Sequence, residues 1–447
     1  MDPERAALYP FLGAPGRGVA MIQRSEGVHF VLADGRRILD AGGGAIVANI
    51  GHGRAEVAEA AARALERNSY VVPPFATEER VALVERLRRS WLPPALTRCV
   101  FTSGGSEAVD SALRLVRQHH LSAGRPERVK VIARERSYHG TTLATLGVGG
   151  HEKRRRGFEP FFVDHPRIPA WYPIRRPGVL EEIAGPQHGP ETLLAAIEAE
   201  GPDSVAAFIA EPVGGSTMGA VVPPDDYWPR IREICSQYGV LLVADEIMCG
   251  FGRTGRSFAL DHWGVVPDVL IGGKGLAGGY APIGGVFATE EVVAPIVERG
   301  DELMFFTYSA HPMACAVADK VLEIMEREHL VERAARLGEA LAKRLSSLEA
   351  HPHVAQARGR GLMQAVELVE DPETLRSFPR ADAFIGKVVA AGLGRGVFFY
   401  PGGSDPARDV VCFGPPATIT HDHIEEMARV LEAAIDAAAE RVLARRP

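Results

Sequence analysis

Three short stretches set reactive side chains directly behind apolar runs, where a strand gives way to a loop. Val269-Leu270-Ile271 leads into Gly272-Gly273-Lys274-Gly275, so a glycine-flanked lysine follows a buried-type strand. Lysine is scarce in this chain, six of 50 basic residues, and the other five sit among polar neighbours or on helices. Desolvation weakens a lysine's hold on its proton, and the neutral amine attacks aldehydes to form a Schiff base. Binding a phosphate or capping the loop is the plainer alternative. Val240 to Ala244 is apolar throughout and ends in Asp245-Glu246, which carries a carboxylate to the strand end where parallel sheets bind ligands. A buried acid there needs a partner: a protonated heterocyclic nitrogen serves, and so does Arg253 or a helix N-terminus.

Ser103-Gly104-Gly105-Ser106 closes a third strand, Cys99-Val100-Phe101, and opens a helix. Unpaired N–H groups and the positive end of the helix dipole attract an anion there, and two glycines let a phosphate approach the backbone. By itself the loop reads equally well as a capped turn with Ser106 as N-cap. Taken together, an anion cradle, a carboxylate and a poised amine match the three handles of pyridoxal phosphate: its phosphate, its pyridine nitrogen and its aldehyde. Tyr138, in Ser137-Tyr138-His139-Gly140-Thr141, follows another strand and can stack on such a ring, or serve as a core aromatic.

The elements that must hold these residues alternate between short β-branched runs and amphipathic helices. Helical spacing marks Ala55–Leu65, Thr77–Leu92, Glu107–Gln118 and Tyr227–Tyr238, and strands are expected at Val129–Ala133, Val205–Ala210, Val240–Ala244 and Val269–Ile271. That alternation predicts an α/β fold with a mostly parallel sheet covered on both faces. The density of proline between His165 and Pro190 predicts an irregular excursion. A long helical stretch from Met313 to about Leu348, broken near His329 or Gly338, leads to a smaller α+β lobe. That lobe should contain the strand Met363–Leu368, the helix Ala381–Ala391, the strands Val397–Tyr400 and Val410–Phe413, and a last helix from His421. The division expected is 1–60 for the N-terminal part of a small domain, 61–312 for a large cofactor-binding domain and 313–447 for the rest of the small domain.

Composition narrows the function. The 447 residues are 46% hydrophobic and 24% charged, with a net charge of −7, which gives no electrostatic reason to bind nucleic acid or an anionic membrane. The apolar runs are too short to span a bilayer, the N-terminus lacks a secretory pattern, and five scattered cysteines fit a reducing cytoplasm. The run Lys153-Arg154-Arg155-Arg156 reads as a solvated face. A nicotinamide dehydrogenase built on Gly42-Gly43-Gly44 and Gly51-His52-Gly53 is excluded, because no helix follows at once and no acidic residue sits suitably on a second strand.

Over nearly its whole length the chain resembles the class III pyridoxal-phosphate aminotransferases, of fold type I, and within them the omega-transaminases. The resemblance is carried by Thr102-Ser-Gly-Gly-Ser-Glu-Ala108, Tyr138-His-Gly140, Ala210-Glu-Pro-Val213, Ala244-Asp-Glu-Ile247 through Gly255, Gly273-Lys-Gly275 and Phe306-Thr-Tyr-Ser-Ala-His-Pro312. It implies pyridoxal 5'-phosphate as cofactor, Lys274 as the Schiff-base lysine and Asp245 as the pyridine partner. Gly104, Gly105 and Ser106 would meet the phosphate, Tyr138 and Ile247 the two ring faces, and His139 and Glu211 would lie close by. Thr307 would reach the phosphate of a neighbouring subunit, which implies a homodimer with shared active sites, or a tetramer built from it. For substrate the resemblance points to Ala45, Ile46, Phe75 and Ser216. Arg408 is a candidate for gripping a carboxylate, displaced by a few residues from the family's position, with a surface ion pair as the alternative. The expected reaction is ping-pong transfer of an amino group from an amine or ω-amino acid to a keto acid such as pyruvate. An aminomutase or racemase on the same scaffold is the alternative.

Overall fold

Strands and helices alternate through the computed structural model, which describes residues 21–172, 188–405 and 407–444. After three short strands, β1 (Ile22–Glu26), β2 (His29–Leu32) and β3 (Arg37–Asp40), come those of a central sheet. They are β4 (Leu96–Thr102), β5 (Lys130–Arg134), β6 (Arg167–Ile168), β7 (Val205–Ala210), β8 (Leu241–Asp245), β9 (Val269–Gly272) and β10 (Gly284–Thr289). Their spatial order is β4-β10-β9-β8-β7-β5-β6, and β10 alone runs antiparallel to its neighbours. Every residue of β7 and β9 is buried, because helices cover both faces, and this is why those strands read as unbroken apolar runs. The glycine-rich start of β10 hides it from strand patterning. A Cβ at Gly284 would come within 2.7 Å of the Gly104 carbonyl oxygen, so the strand passes tightly beneath the Ser103–Ser106 loop.

The helices that matter here are α1 (Ala55–Arg67), α2 (Glu78–Arg86), α3 (Gly105–Ser122), α4 (Tyr227–Tyr238), α5 (Pro312–Arg327), α6 (Leu330–Ser346), α7 (Phe384–Gly394) and α8 (His421–Leu443). Thr77 caps α2, its hydroxyl accepting from the Arg80 N–H at 3.3 Å, and beyond Arg86 the chain continues to Trp91 as a π-turn. The inner face of α3, with Ala108, Val109, Ala112, Leu115 and Val116, packs on the central sheet. The long helical stretch breaks at His329, which adopts φ 52° between α5 and α6. Gly338 instead lies inside α6, where a Cβ would stand 2.3 Å from the Gly361 backbone, so it is a close-packing position and not a break.

The remaining strands are β11 (Val354–Arg360), β12 (Met363–Leu368), β13 (Val397–Phe398), β14 (Tyr400–Ser404) and β15 (Ala407–Phe413), and a second sheet runs β11-β12-β15-β14. The segment expected as one strand over Val397–Tyr400 serves two sheets. β13 adds in parallel to β3, completing a sheet of order β1-β2-β3-β13, whereas β14 pairs with β15. The helix expected from Ala381 begins at Phe384, because Ala383 takes φ 45°. Of the proline-rich excursion, residues 173–187 lie outside the described residues. Among the described residues no helix is long and apolar enough to cross a membrane.

Candidate active site

The carboxyl ends of β8 and β9 carry the central chemistry. Lys274 is the second residue past β9 and adopts φ 40°, a conformation that strains a side-chain-bearing residue and persists only where the surroundings enforce it. The enforcement is visible: the Asn49 amide, itself buried, donates to the Gly275 carbonyl at 2.8 Å and pins the turn. Lys274 is half-buried, and loss of solvent around its ammonium holds it below the usual lysine range although the Asp245 charge opposes this. The amine is therefore poised to shed its proton.

Asp245 ends β8, and its two oxygens are both used. Oδ2 pairs with His139 Nδ1 at 2.7 Å, and Oδ1 accepts the Ile247 N–H at 3.1 Å. Burial alone would pull the His139 imidazole below its ordinary pKa, but the hydrogen bond and charge of Asp245 win and raise it. Arg253 is not the partner of Asp245: it donates to the carbonyls of Pro415 at 2.6 Å and Ala48 at 3.1 Å.

Glu246, next in the chain, points the other way. Its carboxylate accepts the N–H groups of Ala259 and Leu260, each at 2.9 Å, and the Cys249 thiol at 3.0 Å, tying the loop after β8 in place. Burial pushes Glu246 up to about 7. A carboxyl with a raised folded-state pKa binds its proton more tightly when folded, so its contribution to stability falls as pH rises from about 4.5 to about 7. Between pH 5 and pH 7.5, Glu246→Gln should therefore lose several degrees less of Tm than the parent. Parallel Tm–pH curves for the two proteins would remove Glu246 from the acid balance.

The Ser103–Ser106 loop leads into α3, whose N-cap residue Gly104 offers no side-chain cap, and Ser103 N–H is taken up by Glu107 at 2.9 Å. Ser106 lies in the first turn of α3 and not at the N-cap, its hydroxyl accepting the Thr141 N–H at 3.1 Å. Gly105 abuts Ile247, since a Cβ there would fall 2.9 Å from Ile247 Cδ1. Tyr138 sits on the loop after β5, its N–H donating to Glu211 Oε1 at 3.2 Å, and Glu211 follows β7 with its backbone carbonyl held by Arg134. Lys274, Asp245, His139, Glu211, Tyr138, Ile247 and the α3 N-terminus thus gather at one edge of the central sheet.

The other residues singled out from sequence scatter more widely. Ile46 is buried against Gly414 at φ 59°, whereas Ala45 beside it is exposed. The Ser216 carbonyl accepts the Gly403 N–H at 2.8 Å, which sets the loop after β7 against β14. Phe75 is 67% exposed, and Thr307 is exposed with its carbonyl bonded to the Tyr70 hydroxyl at 3.0 Å, so neither joins the Lys274 group within one chain. Arg408 donates to the Phe378 carbonyl at 3.0 Å and pairs with Asp405 at 3.3 Å. Sequence reasoning passed over Asn49, whose partner Gly275 is 226 residues away, and assigned nothing to Glu246 although it stands beside Asp245.

Residues 13–435 match the aminotransferase class-III family model. Among relatives, an uncharacterized aminotransferase of Schizosaccharomyces pombe is 37% identical, over 97% of this chain and 96% of that protein. The putrescine–pyruvate aminotransferase of Pseudomonas aeruginosa is 35% identical, over 96% and 93%. A solved (S)-enantioselective omega-transaminase from Thermomicrobium roseum superimposes with a TM-score of 0.90 at 37% identity, covering 99% of this chain and 98% of that one. The chain belongs to the class III aminotransferases. It has their fold, fold type I, and the family works with pyridoxal phosphate.

The residues of this aminotransferase fit that cofactor. A half-buried amine of lowered basicity stands near a buried carboxylate, and a helix N-terminus without a side-chain cap opens the 18-residue helix α3 on the same sheet edge. Glycine at 105 leaves no side chain between that helix end and Ile247.

Proposed function

We propose that this aminotransferase moves the amino group of an amine or ω-amino acid to a keto acid, pyruvate, in two half-reactions of ping-pong order. The observation that carries the reading is the strained, half-buried Lys274, its basicity lowered, near the Asp245 carboxylate. When bound, pyridoxal phosphate supplies an aldehyde that condenses with amines and a ring that stores the electron pair left when a proton departs. Lys274 provides the amine that holds the aldehyde and then, released, the base that carries the substrate proton. Asp245 keeps the ring nitrogen protonated, and His139 orients Asp245 through its 2.7 Å bond. Gly104, Gly105 and Ser106 take the phosphate, while Tyr138 and Ile247 cover the two faces of the ring. Glu211 fixes the Tyr138 loop. Pyruvate as acceptor is favoured by the name of the Pseudomonas relative.

A second copy of the chain completes the site in this reading. Thr307 lies in a segment that exposes Leu303, Met304, Phe305 and Tyr308, and a groove of about 650 Å³ between Arg114, Phe161, Val163 and Phe306 adjoins it. Exposed apolar surface on that scale calls for a partner, and a homodimer would cover it while delivering Thr307 across the interface. We also assign residues 1–60 and 313–447 to one small domain, a division supported by the pairing of β3 with β13, and residues 61–312 to the large domain. The cytoplasm is the compartment we assign, in keeping with five free cysteines.

The test is the absorbance of the holoenzyme with single substrates. Its yellow band should bleach with amine donors and return on adding pyruvate. A band that no amine bleaches without a second substrate would favour an aminomutase or racemase.

A further inference from the structure

Arg154 stands apart from its basic neighbours. Arg155 is buried and donates to the carbonyls of Leu146, Gly147 and Gly149, and Arg156 pairs with Glu152 at 2.7 Å. The run is therefore not a uniform solvated face. Among the described residues no carboxylate pairs with Arg154, and its guanidinium carbon instead lies 4.5 Å from the centre of the Tyr138 ring. Stacking of this kind occupies the flat face of the guanidinium and leaves its in-plane N–H donors free.

The Tyr138 ring thus holds the exposed Arg154 guanidinium beside the site. Tyr400, at the start of β14, is half-buried, and its phenol feels both the charge of Arg154 and the hydroxyl of Tyr138. Tyr400 Cβ also lies 3.0 Å from where a Cβ on Gly42 would stand, three residues before Ala45. Arg154, Tyr138, Tyr400 and the 42–46 turn are therefore successive neighbours. Arg408, the other cation considered for a substrate, has its two terminal nitrogens on Phe378 and Asp405, and only its Nε is without a partner.

We propose that Arg154, stacked on Tyr138, is the specificity-determining cation that binds the carboxylate of the keto-acid acceptor through a two-pronged hydrogen bond. This rests on the transaminase reading above. An amine without a carboxylate makes no demand on Arg154, so donor and acceptor share one space and differ in whether they engage it.

The experiment compares Arg154→Met and Arg154→Lys with the parent, using one uncharged amine donor and either pyruvate or butanal, an acceptor without a carboxylate. Loss of a bidentate charged contact should raise the KM for pyruvate about 10- to 100-fold in Arg154→Met, with partial recovery in Arg154→Lys. The KM for butanal should stay within about twofold. Calorimetry with propanoate, which carries the carboxylate and no keto group, should show the same rise in Kd. Unchanged KM for pyruvate overturns the proposal. So does an equal rise for pyruvate and butanal, which would make Arg154 a support for the Tyr138 ring. A rise found in Arg408→Ala and not in Arg154→Met returns the carboxylate to Arg408 and overturns it as well. Should Arg154→Met fail to fold, Arg154→Gln is read in the same way. If the parent enzyme itself shows no bleaching and recovery, the transaminase reading falls, while propanoate binding still reports on Arg154 alone.

Discussion

Lys274→Ala should purify as a folded protein that gains no covalently held cofactor and turns over at least about 10⁴-fold more slowly than the parent. The size follows from two roles ending together: the amine that fixes the aldehyde, and the base that moves the substrate proton. Effects of one group acting twice do not divide between the steps, so added primary amine should restore only a fraction of the rate. Folding should survive, because the side chain is only half-buried and removing it relieves the desolvation that already lowers the amine's basicity. The φ of 40° remains for alanine, so backbone strain is unchanged. Measured by single turnover and by dialysis of the cofactor-loaded protein, retained activity or cofactor that resists dialysis through a covalent bond would sink the assignment of Lys274.

How far the sequence foretold this arrangement varies with distance along the chain. Val205–Ala210 and Met363–Leu368 are strands with the boundaries expected, because their apolar runs are uninterrupted and every residue is buried. Where glycine carries a strand, as at Gly284-Gly285 in β10, the alternation that marks a strand is missing, and only the close passage beneath Gly104 explains the residues. The break at His329 was legible as a place but not as a conformation, since nothing local announces a positive φ at a histidine. In the site, Lys274, Asp245 and the Gly104-Gly105 loop stood out because each follows an apolar run. Asn49 did not, because its bond to Gly275 joins segments 226 residues apart in the chain. Arg154 was submerged in a run of four basic residues, and only their separate burial and partners tell them apart.

Asp245→Asn should keep the fold and the cofactor's phosphate contacts yet lose about 10²- to 10⁴-fold in kcat, the rate equivalent of an uncompensated buried charge. The amide preserves the shape of the side chain but cannot hold a proton on a ring nitrogen, so only the electrostatic role is removed. A second effect travels through His139. With Asp245 ionised, the His139 pKa is raised, and the stability this gives is present at acid pH and lost as pH rises through that folded-state value. Asparagine leaves burial as the dominant influence, which lowers the imidazole and cancels that acid-side contribution. The variant should therefore show a smaller fall of Tm with rising pH above about 6.5 than the parent, together with its loss of turnover. Two readouts separate the roles. Near-parent kcat would show that Asp245 does not serve the ring nitrogen, and a lost rate with an unchanged Tm–pH profile would show that His139 takes its charge from elsewhere.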